Sequence, residues 1–246
     1  MRRFAIAPER VVDGRVTFDA LETRHLARVL RLGPGDTVVA SDGAGHDYTV
    51  RLDAVRPRAT GVVVGVADAV AESPLAIALV QGVPKGDKLE TIVRAATELG
   101  VARIVPALAA RTVVRLAERQ SAARLARWQR VAREAAKQSG RRTVPDVAPP
   151  RPLEGCLDEA RDAELALCLW EGETSPLGVV LAEAKRPRRV AVLIGPEGGL
   201  ERAEVDAARA RGWRVVGLGA RILRTETAGP ALIAILQARW GDLGTP

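Results

Sequence analysis

The sequence of 246 residues contains only two cysteines and no apolar run of membrane-spanning length. Cys156 and Cys168 are too few for a disulfide framework or a cysteine zinc site, so we interpret both as small buried hydrophobic residues. The longest apolar runs, such as LAIALV and RVAVLI, are far shorter than the roughly 20 residues that a bilayer requires. The opening residues MRRFAIAPER lack the apolar core of a secretory signal, and we expect a cytoplasmic protein.

Asparagine is absent, methionine occurs once, and arginine supplies 33 of the 37 basic residues. An arginine-rich chain without asparagine is typical of a thermostable protein or of a GC-rich source. Arginine also binds phosphate through its planar fork and stacks on bases, so the net charge of +7 equally favours a polyanionic partner. Composition alone leaves both interpretations open.

The first 70 residues alternate short β-rich runs with breakers such as GPGD and DGAG, a pattern typical of a small barrel or sandwich. One helical segment at residues 21–32 interrupts them, with Leu26, Val29 and Leu30 on its apolar side. From residue 74 onward strands alternate with helices, and five apolar runs predict strands buried on both faces. These runs are LAIALVQ, RIVPAL, ELALCLW, RVAVLIG and WRVVGLG. We therefore predict a β-rich domain over residues 1–70 and an α/β domain with a parallel sheet over residues 74–246.

Two helices of the second part can be delimited from the sequence. Asp87 is the predicted cap of the first, with Glu90 at its third position and Gly100 at its end. The second spans residues 118–139 and carries an apolar arc opposite a basic arc. The basic arc suits RNA phosphates, but a solvated charged face is the usual explanation of such a pattern. Its residues are Arg127, Arg130, Arg133 and Lys137, with Arg141 and Arg142 beyond the helix end.

Two strand-to-helix turns near the end of the chain are rich in glycine, proline and charged residues. We name them the GPEGG loop (residues 195–199) and the LGARILR loop (residues 218–224). In an α/β fold, such turns at the carboxyl ends of strands bind ligands. No GKS or GKT follows the GPEGG loop, which excludes a P-loop, and Ile222 stands where a dinucleotide fingerprint needs its third glycine. A helix is predicted after the LGARILR loop, with Pro230 in its first turn.

Five motifs, in collinear order between residues 3 and 235, resemble those of the ribosomal RNA small subunit methyltransferase E family. They are HLARVLRLGPGD at residue 25, KGDKLETIVRAATELGVARIVP at residue 85, QSGRRTVP at residue 138, GPEGG at residue 195 and LGARILRTETA at residue 218. One departure is visible, because Glu201 stands where the family usually places Thr or Ser to start the following helix. A glutamate in a first turn still complements the helix dipole.

The resemblance implies an S-adenosylmethionine-dependent enzyme of the SPOUT class. Its parallel sheet would carry a C-terminal trefoil knot, its N-terminal part would be a PUA-like small β-barrel, and its sites would form at a homodimer interface. The implied reaction methylates N3 of a single uridine in the decoding region of 16S rRNA, in the small ribosomal subunit. Methyl transfer of this type requires neither a metal nor a membrane.

We expect apolar and glycine residues of the two loops to line the cofactor site, because a sulfonium cation beside adenine needs apolar walls and accessible backbone groups. A third loop, after the ELALCLW run, is implied by topology and by the resemblance. The predicted cofactor-binding residues are Leu169, Trp170, Glu171, Ile194, Gly195, Pro196, Gly198, Gly199, Leu218, Gly219, Ile222, Leu223, Thr225 and Ala228.

Uridine N3 carries a proton that must leave, or whose loss must be stabilised, before the nitrogen attacks a methyl group. We therefore predict that Glu226 or Glu197 accepts this proton and that Arg224 stabilises the anion or orients a phosphate. A structural role for either glutamate, as a partner of loop amides or of Arg221, is an equal alternative. The predicted substrate-binding residues are Arg3, His25, Arg28, Arg31, Lys85 and Lys88, although His25 suits a hydrogen bond at the core edge equally well.

Two other classes of protein stay open. A non-catalytic RNA-binding assembly protein explains the basic charge but has no need for the two loops. A Rossmann-type oxidoreductase or methyltransferase would place its glycine fingerprint near residues 75–86, where VQGVPKGD lacks the G-x-G pattern. Binding of S-adenosylmethionine, of NAD or of neither separates the three.

Overall fold

The computed structural model describes residues 2–67, 71–113, 118–172 and 175–244. Internal contacts divide the chain into two units. The first comprises Met1–Glu72 and Arg133–Val144, and the second comprises Ser73–Ala132 and Pro145–Pro246. The first unit thus includes a segment from the middle of the chain, which a boundary drawn on local sequence pattern does not anticipate.

The first unit is built on a six-stranded sheet. Its strands are β1 (Arg3–Ala5), β2 (Val11–Val12), β3 (Arg15–Thr17), β4 (Thr37–Ser41), β5 (Asp47–Ala54) and β6 (Thr60–Val66), in the order β1-β4-β5-β6-β3-β2. Strand β1 pairs parallel with β4, and the other neighbours pair antiparallel. Inward-facing strand side chains such as Phe4 form its core together with residues outside the strands, among them Phe18, which directly follows β3. The β-rich first part predicted from the sequence is confirmed.

A short helix packs on this core. Helix α1 (Ala20–Arg24) begins after Asp19, whose carboxylate accepts a hydrogen bond from the Glu22 amide at 2.7 Å. The helix continues as a wider π-type turn over His25–Val29, which buries Leu26 completely. Val29 is 67% exposed, so its predicted place on the apolar side is wrong. The wider turn rotates position i+3 away from the face that Leu26 occupies.

The second unit contains a parallel sheet of eight strands. They are β7 (Ala76–Gly82), β8 (Arg103–Leu108), β9 (Asp146–Val147), β10 (Arg151–Pro152), β11 (Leu165–Leu169), β12 (Ser175–Pro176), β13 (Arg189–Ile194) and β14 (Arg214–Gly217). The order is β10-β8-β7-β13-β11-β14-β12, with β9 beside β8, and all recorded pairings are parallel. The five strands predicted from apolar runs are the five central ones. The α/β prediction is therefore confirmed.

Helices connect these strands. They are α2 (Lys88–Glu98), α3 (Glu118–Ser139), α4 (Leu153–Cys156), α5 (Leu177–Glu183), α6 (Arg202–Ala210) and α7 (Thr225–Trp240). Register places Leu169 of β11 beside Ile194 of β13 and beside Val216 of β14. Because parallel strands present their carboxyl ends at one edge, the loops that follow β11, β13 and β14 meet there.

The N-terminus of α2 differs from the prediction. Asp87 occupies the cap position but makes no capping hydrogen bond, so the predicted capping box is wrong. Both acids turn instead to Arg127 of α3, which lies 2.7 Å from Glu90 and 3.5 Å from Asp87. A nearby guanidinium competes with the helix amides for these carboxylates.

The basic arc of α3 also has acidic partners. Lys137 pairs with Glu22 within the first unit, and both side chains are largely buried. Arg141, just beyond the helix, lies 2.8 Å from Glu72. These two residues thus stabilise the fold of the first unit, and only the more exposed residues of the basic arc stay available to solvent or RNA.

Both cysteines are completely buried. Burial raises the pKa of both thiols, to about 12 for Cys168, so neither is reactive at neutral pH. Their interpretation as small hydrophobic residues is confirmed.

Among the residues that the structure describes, no helix is long and apolar enough to cross a bilayer.

Candidate active site

A cavity of about 500 Å³ lies where the loops after β11, β13 and β14 meet. Most of its wall comes from the GPEGG loop, the LGARILR loop and the first turn of α7. The lining residues are Lys88, Leu169, Trp170, Glu171, Ile194, Gly195, Pro196, Glu197, Gly199, Leu200, Gly217, Leu218, Gly219, Ala220, Arg221, Ile222, Leu223, Arg224, Thr225, Glu226 and Ala228.

The start of the GPEGG loop is tied to α7 and to β7. The hydroxyl of Thr225 donates a hydrogen bond to the Gly195 carbonyl at 2.7 Å. Pro196 lies directly against the end of β7, where a Cβ on Gly82 would come within 2.5 Å of the Pro196 nitrogen. Only glycine at position 82 permits this approach without a shift of the loop.

Gln81 completes this junction. Its side chain is fully buried, and its Nε2 donates to the Thr225 hydroxyl at 2.9 Å and to the Gly82 carbonyl at 3.1 Å. The hydrogen bonds from Gln81 to Thr225 and from Thr225 to Gly195 thus connect β7, α7 and the GPEGG loop. Sequence reasoning did not select Gln81, although a glutamine at the end of an otherwise apolar strand is a detectable signal.

Glu197 is held by groups from the segment that leads into α2. Its two carboxylate oxygens accept the Lys85 amide at 3.1 and 3.2 Å, and Lys88 Nζ lies 3.1 Å from Oε1. Burial raises the pKa of Glu197, but hydrogen bonds from backbone amides and from Lys88 outweigh it and lower the pKa below its ordinary value. The hydrogen bond with Glu197 in turn raises the pKa of Lys88. Both groups are therefore charged at neutral pH.

Glu226, in the first turn of α7, contacts the same ammonium group as Glu197 does. Its Oε2 is 3.5 Å from Lys88 Nζ, and Oε1 is 3.9 Å from Arg224. Oε2 is buried and accepts no hydrogen bond from any described residue. Lys88 thus lies between two carboxylates, of which Glu226 keeps an oxygen free of hydrogen bonds.

The LGARILR loop is open to solvent. Ile222 is 87% exposed, and the Arg224 side chain is 82% exposed. Gly219 has a φ of +100°, a conformation that favours glycine. Helix α7 begins at Thr225, immediately after the loop, so Pro230 lies within the helix and its predicted first-turn position is wrong. The helix tolerates Pro230 near its N-terminus at the expense of one backbone hydrogen bond.

The third wall follows β11. Trp170 Nε1 donates to the Leu200 carbonyl at 3.3 Å, which joins this wall to the end of the GPEGG segment. Gly199 has a φ of +71°, and a Cβ there would lie 2.6 Å from Glu171 Oε1.

At the start of α6, Glu201 is the cap residue, and its amide donates to the Glu204 carboxylate at 2.9 Å. Glu204 thus forms the half of a capping box in which the third helical residue accepts the amide of the cap residue.

Comparison with known proteins decides the family. Residues 71–237 match the model of an RNA methyltransferase domain, and residues 19–59 match an RNA methyltransferase PUA domain. A ribosomal RNA small subunit methyltransferase E from Synechocystis is 33% identical over 96% of this chain and 77% of its own length. The chain belongs to the ribosomal RNA small subunit methyltransferase E family.

Solved relatives of this family share the fold. The enzyme from Neisseria gonorrhoeae, crystallised with S-adenosylmethionine, is 35% identical, with a TM-score of 0.87 over 98% of this chain and 99% of that chain. A protein described as a methyltransferase from Legionella pneumophila, also with the bound cofactor, is 29% identical, with a TM-score of 0.89 over 98% of both chains. Cofactor-bound members of the family thus have this architecture.

The structure brings most of the predicted site residues together. Every predicted cofactor residue except Gly198 lines the cavity, as do Glu197, Arg224, Glu226 and Lys88. Gly198 faces away, and Lys85 contributes its amide to Glu197. Leu200, Gly217, Ala220 and Arg221 also line the cavity without having been predicted as ligands. In the described part of the chain, no group of three or more His, Cys, Asp or Glu side chains is arranged to hold a metal ion.

The three arginines of the first unit that were predicted to contact RNA differ in their accessibility. Arg3 lies 2.8 Å from the buried Asp47 and also donates to the Arg141 carbonyl, so its guanidinium is used internally. This pairing disfavours the predicted contact of Arg3 with RNA. Arg28 and Arg31 are exposed.

His25 lies at the edge of the core of the first unit. Its ring packs edge-on against Phe4, with centroids 5.6 Å apart, and its Nδ1 lies 3.7 Å from Glu22. The side chain is also 39% exposed. The structure thus places His25 at the core edge, as that alternative expects, but its distance to Glu22 is too long for a hydrogen bond, and part of the ring stays accessible.

Proposed function

We propose that this protein transfers a methyl group from S-adenosylmethionine to N3 of one uridine in the decoding region of 16S rRNA. The observation that carries the proposal is the cavity of about 500 Å³ walled by loops at the carboxyl ends of adjacent parallel strands. Relatives of the same fold bind S-adenosylmethionine, and the family name refers to small-subunit rRNA. Such a substrate implies a cytoplasmic location.

The cavity fits this cofactor. Gly195 and Gly199 bring backbone to the wall, and a Cβ on Gly195 would lie 3.0 Å from the Gly199 carbonyl carbon. Apolar contacts for an adenosine come from Leu169, Ile194, Leu218, Ile222 and Leu223. The carboxylates of Glu171, Glu197 and Glu226 attract a sulfonium cation and offset the charge of Lys88. When bound, S-adenosylmethionine supplies an electrophilic methyl group.

Glu226 is the residue to which we assign proton removal from N3. Its Oε2 accepts no hydrogen bond and has only the 3.5 Å ion pair with Lys88, whereas both oxygens of Glu197 accept the Lys85 amide and Oε1 also lies 3.1 Å from Lys88. The lowered pKa of Glu197 also makes it a weak proton acceptor. In this scheme Glu197 positions Lys88, Glu226 takes the proton, and the exposed Arg224 stabilises the imide anion or a nearby phosphate.

We further propose that the predicted RNA-binding domain, residues 1–70, contacts rRNA through Arg28, Arg31 and the exposed part of His25. Lys85 is exposed beside Glu197 and is suited to a phosphate near the target uridine. The methyltransferase domain, residues 74–246, would supply the reaction site. Its C-terminal chain would form the trefoil knot of the SPOUT class.

We infer a homodimer from the exposed apolar residues on the outer face of α7. Residues 228–236 of this helix carry no polar side chain, yet Ile235 and, just beyond this stretch, Ala238 are exposed, and Ala231 and Ala234 are only partly buried. A helix of this kind is normally covered on all sides. Ile222, at the rim of the cavity, would be covered in the same assembly. Light scattering of the purified protein is expected to give the mass of two chains.

The experiment that tests the reaction uses 16S rRNA from cells that lack this gene. The purified protein is incubated with methyl-labelled S-adenosylmethionine and either free rRNA or small subunits, and the rRNA is mapped by mass spectrometry. We expect one added methyl group on N3 of one uridine. A protein that binds rRNA without transferring methyl, or that modifies another atom, would overturn the proposal.

A further inference from the structure

We propose that Arg111 is a positioning residue for the GPEGG loop. It lies outside the cavity and holds the Gly198 carbonyl, and thereby fixes the wall against which the cofactor binds. The inference rests on the proposed function for the identity of the ligand. It concerns a residue beyond those that line the site.

Arg111 is presented by a turn that follows β8. The Ala109 amide donates to the Thr112 hydroxyl at 3.0 Å, and the Thr112 amide donates to the Ala109 carbonyl at 2.9 Å. The turn is thus closed on itself and does not depend on the cavity for its conformation. A second bond, from the Ala110 amide to Glu204 at 2.8 Å, attaches it to the first turn of α6.

From this turn Arg111 reaches the back of the GPEGG loop. Its guanidinium donates to the Gly198 carbonyl at 2.9 Å, and its Nε lies 3.7 Å from Glu201. The aliphatic stem covers Gly198, where an added Cβ would lie 3.0 Å from Arg111 Cβ. The guanidinium of Arg111 therefore binds the Gly198 carbonyl while the aliphatic part of the same side chain packs on Gly198.

This contact complements the anchors on the cavity side. Thr225 holds Gly195, and Lys85 with Lys88 holds Glu197, so the first half of the loop is fixed from within. Arg111 fixes the second half, next to Gly199, which closes the turn with a bond to the Pro196 carbonyl at 2.9 Å. A loop held at both halves loses little conformational entropy when a ligand binds.

The test compares Arg111→Gln, Arg111→Lys and the control Arg211→Gln, which removes an exposed pair with Glu154 elsewhere in the second unit. Hydrogen exchange of the peptide over residues 195–200 is measured without cofactor, and the affinity for S-adenosylhomocysteine is measured by calorimetry. We expect about tenfold faster exchange and about tenfold weaker binding in Arg111→Gln, from loss of one charged hydrogen bond. Partial rescue is expected in Arg111→Lys, and no change in the control.

Unchanged exchange and affinity in Arg111→Gln would overturn the proposal, as would an equal effect of the control. If Arg111→Gln does not fold, Arg111→Lys decides, because wild-type exchange and affinity in that variant would contradict a role for the guanidinium fork. Failure of the wild-type protein to bind S-adenosylhomocysteine would contradict the proposed function instead. The exchange comparison would still test Arg111 in that case.

Discussion

The GPEGG loop and the LGARILR loop wall the same cavity but are held in opposite ways. The GPEGG loop is bonded by Thr225, Lys85 and Arg111, each from a different part of the unit. The LGARILR loop has Ile222 and Arg224 almost fully in solvent. The difference shows that contacts within the unit fix the GPEGG loop, whereas two side chains of the LGARILR loop stay accessible.

The largest expected effect is on the rate of methyl transfer, and it distinguishes Glu197 of the GPEGG loop from Glu226, which follows the LGARILR loop. Glu226→Gln is expected to slow methyl transfer by about a hundredfold or more, since a positioned general base contributes 10²–10⁴-fold. Glu197→Gln is expected to act mainly on cofactor affinity, since Glu197 is bonded to Lys85 and Lys88. Single-turnover rates and calorimetric affinities for both variants distinguish these outcomes. A slow methyl transfer in Glu197→Gln together with a weaker cofactor affinity in Glu226→Gln would instead identify Glu197 as the proton acceptor.

Two glycines test the contrast directly. Gly82→Ala places a Cβ 2.5 Å from the Pro196 nitrogen and is expected to displace the GPEGG loop. Overpacking of this kind costs about 1–3 kcal/mol, and if the cofactor requires the original loop position this cost corresponds to an affinity loss of about fivefold to 150-fold. Gly219→Ala meets no atom within 4 Å and suffers only from the φ of +100°. Calorimetry with S-adenosylhomocysteine should therefore show a smaller loss, and equal losses would refute the contrast.

The link between α7 and the GPEGG loop predicts a moderate effect. Thr225→Val removes the donor to Gly195 and leaves the buried Gln81 amide without one of its acceptors. An unsatisfied buried group costs about 1–3 kcal/mol, and the free energy of unfolding should fall by this amount. Thr227→Val, at an exposed position of the same turn, serves as the control in urea denaturation. A control variant that loses as much stability would show that helix propensity is the cause.

The smallest expected effect is on pH dependence. The pKa of Glu197 is lowered in the folded protein, so its contribution to stability is complete above the ordinary carboxyl pKa and is lost as pH falls through the lower folded value. The protection of the amides of residues 195–200, corrected for the intrinsic pH dependence of exchange, should therefore be maintained at pH 5 and fall only in more acidic solution. In Glu197→Gln this acid-dependent loss of protection should disappear. An onset near pH 6 in the wild-type protein would indicate a different titrating group.

Local pattern predicted the elements of this fold well. The five buried strands and helix α3 follow from continuous apolar runs and from helical spacing, because each signal lies within a short stretch of chain. Pattern failed where a partner came from elsewhere, as with Asp87, which faces Arg127, and Lys137, which pairs with Glu22. A sequence shows which face of a helix is basic but not which acid will meet it.

The sequence by itself determined the two loops and the family, because glycine, proline and charged residues must be adjacent in the chain to make such turns. Only the tertiary structure decided how the loops are held. Gln81 and Arg111 are distant in sequence from the GPEGG loop, and they reach it because parallel strands bring their carboxyl ends to one edge. The same packing occupies both oxygens of Glu197 and leaves one of Glu226 without a hydrogen bond, a difference that two glutamates in a sequence cannot reveal.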